Sequence, residues 1–232
     1  MKSFFAICLF LVALCAVQAY GPLDQVTQQI QRAKNNVNSI KSNLKRFSNN
    51  LKFNTENRLS NKKIEQMQQL NDIVNPALND IRTSVDAAKG QGKDKEQCYT
   101  DAKATLRTLS LAGFSDLNKC EQNGKQQLQA QWNNLDSAQA TADKYISQLD
   151  SIMLECYSSN IIQMQTCAVS KLATVNMSIR AYESTVNSLQ SSAQSASSQV
   201  ELSATSCYWG AVSVVRSGTT DVRISANKCI NN

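Results

Sequence analysis

The 232-residue chain contains no histidine. That removes Ser-His-Asp and Cys-His nucleophile pairs, an imidazole general base, and any mixed Cys/His zinc site. The chain has no Gly-x-Ser-x-Gly elbow, Walker loop or dinucleotide fingerprint. No two cysteines stand two to four residues apart, so a zinc-type spacing is missing as well. Proline occurs twice (Pro22, Pro76) and glycine seven times, which leaves few places to turn. Acidic pairs such as Asp94/Glu96 and Asp136/Asp143 are present, but nothing places either in a shared pocket. We therefore expect no catalytic residue, no cofactor and no metal, and read the chain as not an enzyme.

Gln, Asn, Ser and Ala dominate instead, a composition suited to long helices with polar outer faces. The formal charge is +6 and spread along the chain, which fits solubility and not a nucleic-acid partner. Lys2 is followed by an apolar run, Phe4 to Val17, and then by Val17-Gln18-Ala19, with a small residue where a signal peptidase requires it. The sequence predicts a signal peptide over residues 1–19, cleaved after Ala19, and secretion to the extracellular space. The run is shorter than the roughly 20 residues a spanning helix needs, so no stable membrane span is expected.

Cys8 and Cys15 leave with that leader. Six cysteines remain, Cys98, Cys120, Cys156, Cys167, Cys207 and Cys229, an even number for which disulfides are the expected state in an oxidising compartment. Two of their segments are copies. Cys98-Tyr99-Thr100-Asp101-Ala102 closes on Asn118-Lys119-Cys120, and Cys207-Tyr208-Trp209-Gly210-Ala211 closes on Asn227-Lys228-Cys229. Laid over each other without a gap, they also match at Arg107 and Arg216, and a shorter Cys156-Tyr157…Cys167 lies between them. Gly113 and the stretch Ser217-Gly218-Thr219-Thr220 read as helix breaks. A Cys98–Cys120 bond across a turn at Gly113 would be out of register, whereas Cys207 and Cys229 could face each other across Gly218. Alternatively, 22 residues is close to six helical turns. Two antiparallel segments would then bring Cys98 to Cys229 and Cys120 to Cys207. Sequence does not choose among the pairings.

Upstream, apolar residues recur from Leu23 to Leu51 in alternating steps of three and four, which keeps one stripe on one helix face. The next positions in that pattern are Asn54 and Arg58, so Asn54 to Asn61 reads as a turn with Ser60 as N-cap. The stripe restarts at Ile64, passes through Asn71 at a seam position beside Pro76, and ends at Ala88 before Gly90 and Gly92. Two further stripes are legible. One includes Trp132, Tyr145 and Leu149 up to Cys156; Ser158-Ser159-Asn160 is a turn; another runs from Ala168 to Val200. The aromatic residues Tyr99, Trp132, Tyr145, Tyr157, Tyr182, Tyr208 and Trp209 read as core packing and not as a ligand cage. Asn176-Met177-Ser178 is the only glycosylation sequon and places Asn176 one residue off the seam.

The Cys-Tyr openings, Asn-Lys-Cys closures, leader and Gln/Asn/Ser-rich helices together resemble the TsetseEP-like family of insect secreted proteins, over the region from Asp24 to Cys229. The resemblance implies an all-helical, cysteine-bearing protein of gut or other secretions, with no established biochemical activity and no catalytic residues to carry over. The family's Glu-Pro repeat tail is absent here.

The expected fold is all-α, an elongated bundle of long amphipathic helices. It comprises a signal peptide (1–19), an N-terminal antiparallel helical hairpin (20–92) and a cysteine-bearing helical region with disulfide-linked helices (93–232), continuous with the hairpin. The expected function is that of a secreted, non-enzymatic protein that contacts an unknown extracellular protein or itself. The alternative is a carrier of a small apolar, lipid-like ligand within the bundle.

Overall fold

The computed structural model describes residues 21–232, and among these there is no strand. Four α-helices follow in order: α1 (Pro22–Gly90), α2 (Glu96–Gln127), α3 (Gln129–Glu155) and α4 (Ile161–Asn231). The all-α expectation holds. The expected leader, residues 1–19 with Cys8 and Cys15, lies outside the described residues.

The expected N-terminal hairpin is replaced by one uninterrupted helix, α1, of 69 residues. Its buried face does not stop at Leu51 but changes step. Leu51, Thr55 and Leu59 are buried four residues apart, and the stripe resumes through Gln66, Leu70 and Val74. Consecutive steps of four shift the stripe by one position relative to a strict three-four alternation, as a stutter does in a coiled coil. The polar Thr55 is accommodated because its hydroxyl donates to the Leu51 carbonyl at 2.7 Å and meets the Ser197 hydroxyl at 2.5 Å. After the shift the seam runs through Leu70, so Asn71 is exposed, and Ile64 is 56% exposed. Pro76 stands inside α1. The helix ends as expected: Gly92 takes the left-handed φ of 80°, and the amides of Gln91, Gly92 and Lys93 close on Ala88 and Lys89 carbonyls.

The breaks expected at Gly113 and at Ser217–Thr220 are likewise absent, since α2 and α4 run through them. The real interruption is Leu128, buried, where the amide bonds back to Lys125 in place of the i−4 carbonyl. The turn at Ser158–Asn160 is present. Asn160 Oδ1 caps α4 by accepting from the Ile162 and Gln163 amides, at 3.0 and 3.3 Å.

The chain forms two compact units. The first takes the described part of Met1–Asn49 and Asn133–Ser191. Here α1 runs antiparallel to α3: Lys34 pairs with Asp150 and Lys41 with Asp143, seven residues on along one helix and seven back along the other. Val37, Leu44, Leu135, Ala142 and Leu149 fill this core. The buried Tyr182 phenol donates to the Ala138 carbonyl at 2.8 Å, and its ring lies 5.5 Å from that of Tyr145. The second unit takes Asn50–Trp132 and Ser192–Asn232. In it α1 runs antiparallel to α2, with Lys63–Glu121 and Arg82–Glu96 pairs, and in step with α4, with Thr55–Ser197, Arg58–Glu201 and Asp80–Arg223 contacts.

Candidate functional site

The duplicated segments meet in the second unit. Cys98 is bonded to Cys229 and Cys120 to Cys207, with Cα–Cα distances of 5.9 and 5.8 Å. The cross-linked arrangement is the one that forms, and bonds within each copy do not. The reason is the persistence of helix through both glycines. Each copy stays helical across its whole 22-residue cysteine spacing, about six turns, so its two cysteines share a face and meet their counterparts in antiparallel register. The third bond, Cys156–Cys167, closes 11 residues around the α3–α4 turn, with a Cα–Cα distance of 5.6 Å.

The two copies are related by a local pseudo-two-fold relationship. The opening cysteine of each bonds the closing cysteine of the other, so the two copies run antiparallel with their ends paired. Leu109 and Gly218 are the central positions of their copies and face each other. A Cβ built on Gly218 would lie 2.8 Å from Leu109 Cδ2. A perfect repeat would have to oppose Leu to Leu or Gly to Gly there. The Leu/Gly pairing fills the space once.

The opened half of this pair holds a crevice of about 510 Å³, lined by Cys98, Ala102, Leu109, Val222, Ala226 and Cys229 among others, with Asp101 and Asp221 also on its walls. On the other side of the centre the helices are tight, because Gly113 admits Val215.

Next to Cys207, Tyr208 is fully buried and its phenol donates to the Leu59 carbonyl at 3.1 Å. Burial, with Glu121's charge adding to it, pushes this phenol up to about 12. Glu121 is itself buried. Burial resists its ionisation, but hydrogen bonds from Lys125 and Lys63 outweigh that and hold its carboxyl below the ordinary value. In the first unit, burial, followed by Asp143's charge, raises the Tyr182 phenol.

The acidic pairs noted in the sequence are dispersed. Asp94 Oδ1 accepts from the Glu96 amide and Glu96 pairs with Arg82, while Asp136 accepts from Gln139 and Asp143 pairs with Lys41. Among the described residues no group of three or more His, Cys, Asp or Glu could hold a metal ion, and no helix is long and apolar enough to cross a membrane. Asn176 is half-buried on α4 and lines a groove with Arg32, Ala33 and Arg180. Of the aromatic residues assigned to the core, Trp132, Tyr182 and Tyr208 are buried. Trp209 and Tyr157 are not, at 52% and 79% exposure: Trp209 sits one position off the buried stripe of α4, and Tyr157 lies in the turn beyond α3.

The periodicity passed over one feature. At the α3–α4 turn, Leu154, Tyr157, Ile161 and Ile162 are all exposed large apolar residues. Their signal was in the composition: no charged residue occurs from Cys156 to Ser170.

No family model matches the sequence, and neither a curated protein nor a solved structure matches it.

Proposed function

We propose that this is a secreted, non-enzymatic helical protein, an interaction or structural component of an extracellular secretion, of the kind the TsetseEP-like resemblance implies. Three disulfides support an oxidising compartment. The observation that carries the interaction role is where the apolar side chains lie. The seams are filled by the chain's own residues, such as Leu44, Leu70, Leu117, Leu135 and Leu149. Large apolar groups are left on outer faces, among them Leu202 and Trp209, two helical turns apart on α4. Surface-exposed tryptophan beside a cross-linked, rigid backbone is the kind of anchor that protein contacts favour. In this reading the leader is removed after Ala19 and the chain acts on another extracellular protein or on itself.

The α2–α4 crevice favours the second reading, a carrier of a small apolar ligand. Native mass spectrometry of the secreted protein, with and without reductant, separates the two. A monomer or small oligomer with three intact disulfides and no extra small-molecule mass supports the interaction component. Added mass of a few hundred daltons that leaves on activation overturns it in favour of the carrier. The same spectrum reads the mass at Asn176, where a glycan fits this secreted route.

A further inference from the structure

The α3–α4 turn presents an apolar tip. Helix α3 ends at Glu155 and α4 begins at Ile161, so the residues between and beside those ends project from the end of a helix pair and not from its flank. Four of them are large and exposed: Leu154 at 80%, Tyr157 at 79%, Ile161 at 57% and Ile162 at 74%. Contiguous exposed apolar residues mark an interaction site, whereas isolated ones need no explanation. These four fall within nine residues of sequence around a single turn.

Two properties of the tip decide what it fits. The first is charge. From Cys156 to Ser170 there is no Asp, Glu, Lys or Arg, and the flanking Glu155 and Lys171 pair with each other. Glu155's carboxyl is held below its ordinary range by hydrogen bonds from Lys171 and Ser151. The turn segment itself therefore brings no unpaired charge into an apolar medium. Tyr157 adds an amphipathic ring of the type found where one end is apolar and the other wet. The second property is shape and size. A turn at a helix end is convex and offers few residues, well under the 20–30 residues a side of a standard protein interface. A fluid lipid surface needs no matching concavity. The Cys156–Cys167 bond already ties the turn at both ends, so little order remains to be imposed on docking.

We infer that the tip formed by Leu154, Tyr157, Ile161 and Ile162 docks on a zwitterionic lipid surface, inserting apolar side chains without spanning the bilayer. The mode is reversible and hydrophobic, so it is insensitive to salt, unlike attraction of a basic patch to anionic lipid.

The test uses the secreted protein and phosphatidylcholine vesicles in a co-sedimentation assay. Binding is expected, unchanged when salt is raised to about 1 M, where charges are screened within about 3 Å. Ile162→Asp should weaken it by about tenfold or more, because one buried isoleucine is lost and a charge is introduced. As a second readout, Tyr157→Trp should show blue-shifted emission, quenched by brominated lipid. Because Ile162 is exposed, its variant should melt as the parent does, and a melting control verifies this. Absence of vesicle binding, binding abolished by salt, or an Ile162→Asp variant that binds as well as the parent each overturns the proposal. So does a dimer in sedimentation velocity that Ile162→Asp dissociates while vesicles go unbound, an outcome that would assign the tip to a second copy of this chain.

Discussion

Gly113 on α2 meets Val215 on α4 so closely that a Cβ built on the glycine would lie 2.6 Å from Val215 Cγ2, with Leu70 Cδ1 of α1 at 3.0 Å. The glycine is therefore a packing residue at the point where three helices come together, between the two cross-linking disulfides.

Gly113→Ala should destabilise the protein even though alanine is the better helix former by about 1 kcal/mol. The new methyl has to move a β-branched side chain in a filled site, and overpacking of that kind costs about 1–3 kcal/mol. Gly210 is the internal control. It also lies inside a helix, but a Cβ there meets nothing within 4 Å, so Gly210→Ala should raise stability by about 0.5–1 kcal/mol. Urea unfolding measures both. Equal effects of the two substitutions would show that the Gly113 contact is not tight, and adding Val215→Ala to Gly113→Ala should recover part of the loss.

This contact also marks what could and could not be read in the sequence. Glycine in a helical pattern signals either a break or a close approach, and only the partner helix distinguishes them. Gly113 and Gly218 read as breaks in the sequence because Val215, Leu70 and Leu109 lie far from them along the chain. The disulfide ambiguity followed from the same choice: once both glycines are helical, the 22-residue spacing leaves the antiparallel pairing as the one in register. The missing hairpin has a related cause. Leu51 to Asn54 breaks a three-four pattern, but Leu51 to Thr55 continues a helix, and Thr55 passes as a core residue only because Ser197 supplies a hydroxyl partner. Strong apolar periodicity, by contrast, carried through: the stripes containing Leu44, Ala142 and Ile179 are buried where the pattern placed them.

Breaking the cross-links should rank by the loop each one closes. Cys98–Cys229 spans 131 residues, but with Cys120–Cys207 intact the loop it closes is the two 22-residue segments. The chain-entropy relation gives about 4 kcal/mol for that loop and about 3 kcal/mol for the 11-residue Cys156–Cys167 loop. Paired Cys→Ser variants compared by denaturant midpoint check the order. A larger loss from the short loop would mean that constraint of the unfolded chain does not govern these bonds.

The Lys63–Glu121–Lys125 cluster should give the protein an acid-sensitive limb. Glu121's folded carboxyl titrates below its ordinary value of 4.5, so its contribution is present above that value and is lost as pH falls through the folded one. Glu121→Gln should cost about 1–3 kcal/mol at neutral pH, since it leaves a buried position with two ammonium partners and no carboxylate. The parent and variant curves should converge on acidification below about pH 4. Curves that remain parallel to pH 3 would show that the pair contributes nothing.

Tyr208 should set a matching limb at high pH. Its phenol is fully buried against the Leu59 carbonyl, and its folded value is pushed up to about 12 from an ordinary 10. For an acid whose folded value is raised, the neutral form is favoured by folding. The contribution is intact below pH 10, falls as the unfolded phenol ionises, and is exhausted near pH 12 once the folded one ionises as well. A separation of about two pH units corresponds to on the order of 2–3 kcal/mol. Tyr208→Phe should therefore be less stable than the parent at neutral pH by about 1 kcal/mol, the net value of one hydrogen bond. It should then lose less on going from pH 10 to 12, so the two curves approach or cross. Tyr182, also raised but in the other unit, remains in both proteins and supplies the residual slope. Urea unfolding at half-unit pH intervals measures this, and parallel curves through that window would remove Tyr208 as the source of the alkaline limb.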